Sequence, residues 1–287
     1  MSIQPVSRSS NQPLGTSGDQ GRRFLWHHVP LAVASAVGFV LWMTLPLFQG
    51  AGHQGPPQAM QHAAQAGGHQ GTPQEAGDLH VDGREDQTRD PDDLPDELEG
   101  RLFMARATTA TGYIAVGLLA FTLLIGPANL LLGKRNPISS YLRRDAGAWT
   151  AIVSVIHVIV GFQVHGPPVP LGERIPHYFL RPDGGLLTNS FGLGNWTGLA
   201  ATVIVVGLLA ISSDLALRKL GAGPWKRLQR LNYALFAMVI AHAIFYGALL
   251  RVTSASTVLL GLSVVAVVVG QAGGTWLWRR RYQWTEV

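Results

Sequence analysis

Of 287 residues, 47% are hydrophobic and only 14% charged, against roughly 25% charged in an average soluble domain, which excludes a water-soluble globular fold for most of the chain. Cysteine is absent, so disulfides, thiolate-bound iron–sulfur clusters and a covalently attached c-type haem are excluded as well. The net charge of +5 comes from Lys and Arg scattered over short loops, which fits a membrane protein's positive-inside bias and not nucleic-acid binding.

In chain order, residues 1–23 are a polar tail ending Gly21-Arg22-Arg23. The first apolar run, 24–48, is longer than the roughly 7 to 15 residues of a signal-peptide core, and no clear small-x-small cleavage site follows, so it is read as a retained transmembrane helix. His27 and His28 stand at its start, where interfacial histidine is ordinary. Residues 49–100 form an external linker rich in Gly, Gln, Pro and acids, a composition that builds no core. Its His53, His62, His69 and His80 lie near carboxylates, a mixture able to take Cu(II) or Zn(II). Without fixed histidine spacing, a solvated tether is the plainer reading. The region 101–278 holds five more runs, near 107–132, 147–165, 195–217, 231–250 and 257–278, and 279–287 is a second polar tail. Each run can cross a hydrocarbon core of roughly 30 Å, and none alternates as a β-barrel strand must. The expected fold is therefore all-α, a bundle of six transmembrane helices.

Six spans put both termini on one side. Segments on that side hold 15 of the 22 Lys and Arg, and the opposite side holds 7 with no lysine. The bias predicts cytoplasmic termini and an external linker, as in a bacterial inner membrane.

Ionisable residues in mid-span are costly and mark functional sites by default. His157 lies thirteen residues beyond Arg144 in the third run, and His242 lies twelve beyond Arg230 in the fifth. Both runs point outward, so the imidazoles are expected at one depth, about 18 to 20 Å from the basic collar. Two neutral imidazoles at one depth match what a six-coordinate b-type haem requires. Ser154 and Gly161 would give room beside one ligand, and Met238 and Phe245 an apolar wall beside the other. Arg101, Arg106 and Arg251, at outer helix ends, are candidate partners for haem propionates or plain interfacial anchors. The alternative for each histidine is a simple hydrogen bond to a neighbouring helix. His165 and His177 fall in a Gly-Pro-Pro-rich external loop where exposed histidine is unremarkable.

Three stretches carry a family resemblance: the motif from Gly126-Pro127 through Tyr141-Leu142-Arg143-Arg144-Asp145 that leads to His157, then Leu193-Gly-Asn-Trp-Thr-Gly198, then Pro224-Trp-Lys-Arg-Leu-Gln-Arg-Leu-Asn-Tyr233 leading to His242. Over roughly 102–278 the chain resembles the ferric-reductase-like transmembrane family, and within it the MsrQ/YedZ haem-binding subunits that serve periplasmic methionine sulfoxide reductase. The resemblance implies haem b on His157 and His242 and electron transfer across the membrane. Members similar to this chain usually have His where Gln229 stands, so a second, cytoplasmic-side haem lacks its ligand here. Arg143, Arg144 and Arg230 would instead suit an anionic donor such as the phosphate of FMN.

The leading expectation is thus an electron-transfer component of an oxidoreductase with one haem b. With nine residues after Trp278, no flavin- or nicotinamide-binding domain is expected to follow the last run, so electrons are expected from a quinol or a separate flavoprotein and are expected to leave to an external acceptor protein or metal. A ferric or cupric reductase is the second reading, and a haem-free scaffold or transporter-like bundle the third.

Overall fold

The computed structural model describes residues 24–45, 93–133, 138–164, 170–247 and 254–283. One turn of π-helix, Phe24–His28, leads into α1 (Val29–Thr44). Then come α2 (Asp93–Leu131), α3 (Ile138–Val164), the short α4 (Leu171–Arg174) with a 3₁₀ turn over Ile175–Tyr178, α5 (Ser190–Ala210), α6 (Asp214–Leu220), α7 (Ala222–Gln229), α8 (Leu231–Phe245) and α9 (Ala255–Gln283). Six stretches are long and apolar enough to span a membrane: Leu25–Thr44, Glu99–Leu131, Tyr141–Val164, Ser190–Ala210, Gly223–Phe245 and Ala255–Arg280. Among the described residues there is no strand, only an isolated bridge between Leu180 and Leu186. The protein is an all-α polytopic membrane protein.

Helix ends follow from local chemistry. Pro30 sits in the first turn of α1, where a missing N–H costs nothing. Leu45 is extended, as expected of a residue before proline. The Asn189 and Ser213 side chains cap α5 and α6 by accepting from the Gly192 and Ala216 amides at 2.9 and 3.0 Å. Gly221, at φ +75°, turns α6 into α7. Within the spans, Thr108, Thr111, Thr122, Thr150 and Thr202 donate back to the carbonyl four residues earlier, which satisfies hydroxyls that lipid cannot.

Three boundaries differ from the sequence expectation. Residues 93–100, assigned to the linker, are the first two turns of α2. Their run of acids favours a helix N-terminus. A turn at Arg230 precedes the fifth apolar run, so Gln229 closes α7 and does not share a continuous helix with His242. The last helix runs on through the basic residues to Gln283. The rest of the linker, with His53, His62, His69 and His80, lies outside the described residues, as do His165, Arg251 and both tails beyond 24 and 283.

The long α2 stands at the centre. It packs antiparallel to α3, with Gly112 facing His157 and Gly147 facing Thr122, and parallel to α9, with Leu124 against Gly270 and Pro127 against Gly274. Trp42 of α1 stacks on Tyr113 of α2 at 4.9 Å. One apolar core joins Leu119 and Leu123 to Ala151, Val205, Leu208, Leu235, Phe236 and Val267. Around it the outer faces are apolar too: Val203, Leu262 and Val269 are more than 60% exposed. Such a surface suits lipid and would be an aggregation liability in water.

A facing histidine pair as the candidate functional site

His157 of α3 and His242 of α8 face each other with ring centroids 6.1 Å apart and planes at 85°. The equal depth expected from their offsets is therefore realised as direct opposition. Each ring is held by a backbone carbonyl. His157 Nδ1 donates to the Thr108 carbonyl at 2.8 Å, and His242 Nδ1 donates to the Gly194 carbonyl at 2.8 Å. A carbonyl can only accept, so both Nδ1 atoms carry the proton and both Nε2 lone pairs remain for a ligand. Anchoring one ring nitrogen in this way is what orients metal-binding histidines.

The rings fit their helices because two glycines give way. A Cβ on Gly112 of α2 would come within 3.0 Å of the His157 ring, and one on Gly198 of α5 within 2.8 Å of the His242 ring. Ser154 and Gly161, expected to leave room for a porphyrin beside His157, are not the residues that admit the ring itself. A Cβ on Gly161 would meet Thr108 at an ordinary 3.6 Å. Met238 packs into the apolar core, and Phe245 lies against Gly194. Gly194 also makes space for Tyr246, whose ring is 4.8 Å from that of His242.

The spacing can be compared with that of a metal held between two imidazoles. Iron between two imidazoles, with metal–nitrogen bonds of about 2 Å and roughly 1 Å more from each nitrogen to its ring centre, separates the centroids by about 6 Å. The observed 6.1 Å fits. Two residues from Thr108, the Nε of Arg106 is buried with no hydrogen-bond partner among the described residues, an orphan donor that a propionate would satisfy. Arg101, on the same helix, is exposed. Among the described residues no group of three or more His, Asp or Glu gathers to hold an ion, so the pair stands as a two-nitrogen site.

At the end of the bundle away from the first turn of α1, the loop after α3 is folded over the pair. The Tyr178 hydroxyl donates to the Phe162 carbonyl at 3.1 Å, the Asn195 amide donates to the Tyr178 carbonyl at 2.9 Å, and the Tyr246 hydroxyl donates to Asn195 Oδ1. His177 stays exposed on this loop.

At the opposite end of the bundle, Arg143 lies near Gly126 of α2 and Arg144 is half-buried, whereas Arg230 is exposed at the α7–α8 break. The Gln229 carboxamide accepts from Asn232 at 3.3 Å. Sequence reading missed Asp145 here. It is 2% exposed and meets His27 and His28 at 2.8 and 3.7 Å, so these histidines are not plain interfacial residues.

No family model, no curated protein and no solved structure matches the chain.

Proposed function

We propose that this protein is a membrane electron-transfer subunit holding a single haem b between His157 and His242, of the kind found in the ferric-reductase-like family and its MsrQ/YedZ haem subunits. The observation that carries the reading is the 6.1 Å opposition of two imidazoles whose Nδ1 atoms are both committed to carbonyls. When bound, the haem supplies a one-electron carrier alternating between ferric and ferrous iron. The chain's own part is to fix both ligands. The Thr108 and Gly194 carbonyls hold the rings and raise their basicity, Gly112 and Gly198 admit them, and the Arg106 guanidinium receives a carboxylate. The apolar core around Leu123 and Leu235 keeps water from the bundle on the terminal side of the pair.

One haem is favoured over two because the terminal-side half has no second pair of opposed imidazoles among the described residues. Gln229 is engaged by Asn232, which leaves its carboxamide a poor candidate for a second ligand. Electrons would enter from a quinol or a flavoprotein on the cytoplasmic side, with Arg143, Arg144 and Arg230 available to an anionic donor. They would leave to an external acceptor protein or metal. The basic-residue bias supports a bacterial inner membrane with cytoplasmic termini.

The test is haem content and optical spectrum of the full chain purified from haem-replete cells. We expect about one b haem per chain with a low-spin reduced spectrum, and loss of that spectrum in both His157→Ala and His242→Ala. A colourless wild type, or single variants that keep the full low-spin haem load, would overturn the assignment.

A further inference from the structure

The segment that joins α5 to α8 is the most one-sidedly charged part of the described chain. Residues 211–230 hold Arg218, Lys219, Lys226, Arg227 and Arg230 against a single acid, Asp214. All five cations are exposed, and none makes an ion pair among the described residues. A loop that had only to carry positive charge could be irregular, yet this one is folded. Ser213 caps α6 by accepting from the Ala216 amide, and Gly221, at φ +75°, turns the chain into α7. Trp225 Nε1 then donates to the Ile211 carbonyl at 3.0 Å, which ties α7 back to the end of α5. The two dibasic steps, Arg218-Lys219 and Lys226-Arg227, are thereby carried on a two-helix hairpin that is fastened at its base.

Position and apolar residues point to what the hairpin meets. The spans on either side end at Ala210 and begin at Gly223, so α7 already belongs to a stretch that enters lipid. The seven-residue α6, about 10 Å long, therefore lies beside the headgroup layer. Its Leu215, Leu217 and Leu220 are 38 to 56% exposed. That is a poor arrangement for a helix in water, and it is the usual one for a helix in the membrane interface, with leucine toward the acyl chains and Lys and Arg among the headgroups. Guanidinium and ammonium groups are the ordinary protein partners of phosphate. A zwitterionic headgroup brings its own ammonium, which these cations repel, so charge complementarity selects a lipid whose phosphate is unbalanced. An acidic protein surface would match the charge alone, whereas the leucines, bracketed on both sides by spans, favour lipid.

We infer that the α6–α7 hairpin binds anionic phospholipid headgroups of the leaflet on the side where the described chain begins and ends. Arg218, Lys219, Lys226 and Arg227 hold the phosphates, and the leucines of α6 lie against the first carbons of the acyl chains. This binding requires no haem and is independent of the electron-transfer reading.

The test uses the full chain in phosphatidylcholine nanodiscs with a bimane label on Leu215→Cys, which has no background because the chain lacks cysteine. Phosphatidylglycerol with brominated acyl chains is titrated in and quenches bimane on contact, and brominated phosphatidylcholine is the neutral reference. With the cations intact, brominated phosphatidylglycerol should quench at a mole fraction about fivefold or more below that of the reference, the effect of roughly one cation at an anionic surface. R218Q/K219Q and K226Q/R227Q should each remove the preference, whereas Arg218→Lys and Lys226→Arg, which keep every charge, should retain it. R279Q/R280Q takes equal charge from the same side, where Arg280 already lies over the Trp276 ring at 4.4 Å, and should leave the preference unchanged. Salt needs no variant to fold: at about 1 M, where the screening length falls to roughly 3 Å, the preference of the intact hairpin should collapse. Equal quenching by the two lipids would overturn the inference, as would a loss in R279Q/R280Q as large as in the hairpin variants. A label quenched by neither lipid would put the hairpin in water and overturn it in favour of an acidic protein partner.

Discussion

A Cβ placed on Gly198 would lie 2.8 Å from His242 Nδ1 and 2.9 Å from Cε1, while on Gly207, nine residues further along α5, nothing lies within 4 Å. The two positions make a matched pair on one helix. In Gly198→Ala the imidazole must move off the Gly194 carbonyl that fixes its tautomer, and disturbing such an orienting bond typically costs about 10 to 100-fold in metal affinity. We expect lowered haem retention and an altered spectrum for Gly198→Ala, and wild-type values for Gly207→Ala, measured by haem titration of the apo-protein. Equal haem affinity in the two variants would remove Gly198 from the site. The histidines themselves were legible from depth alone, because a polar residue in an apolar run stands out. Gly198 was half legible, lying four residues from Gly194 in a small-xxx-small spacing typical of close helix contacts. Gly112 and the two carbonyl acceptors were not, since a backbone oxygen has no sequence signature.

Between elements, the α2–α9 contact shows how small residues substitute for a hydrophobic driving force in lipid. Gly274 lets α9 approach Pro127, to which an added Cβ would stand at 3.1 Å from Cβ and 3.3 Å from Cα, and Gln271 donates to the Leu123 carbonyl at 2.7 Å while accepting from the Tyr233 hydroxyl at 3.1 Å. A proline ring and backbone cannot rotate away, so Gly274→Leu should separate the helices and cost about 1 to 3 kcal/mol, the range for overpacking. At Gly270 the added Cβ would meet only the mobile Leu124 Cδ2, and Gly270→Ala should cost less than Gly274→Ala. Unfolding in graded sodium dodecyl sulfate reads both, and the reverse order would refute the argument. The number of spans was readable from run length. How most spans are rotated about their axes was not, because α1, α2, α5, α8 and α9 show little one-sided patterning to aim them, α3 being the exception. The pairing of His27 with Asp145, 118 residues apart, depends on that rotation and so stayed hidden, whereas the His157–His242 pairing needed only a shared depth.

At the scale of the whole molecule, the packing and the charge distribution bear on one another. Successive spans alternate in direction: α2 runs antiparallel to α3 and parallel to α9, which puts the segment after α2, the α6–α7 segment and both ends of the described chain on one side. That side holds 15 of the 22 basic residues, and translocating Lys and Arg against the membrane potential is what the positive-inside rule penalises, at about 2.3 kcal/mol per charge per 100 mV. The chain has no cysteine, so single cysteines can report on sidedness without a background to remove. We expect Gln70→Cys, in the linker, to react with a membrane-impermeant maleimide in intact spheroplasts. Lys219→Cys, at the end of α6, should react only after the membrane is opened. Because neither position belongs to the histidine pair, haem content serves as a control that both variants are folded. Labelling of Lys219→Cys in sealed spheroplasts, with Gln70→Cys protected, would invert the topology and put the basic-rich ends of the spans outside.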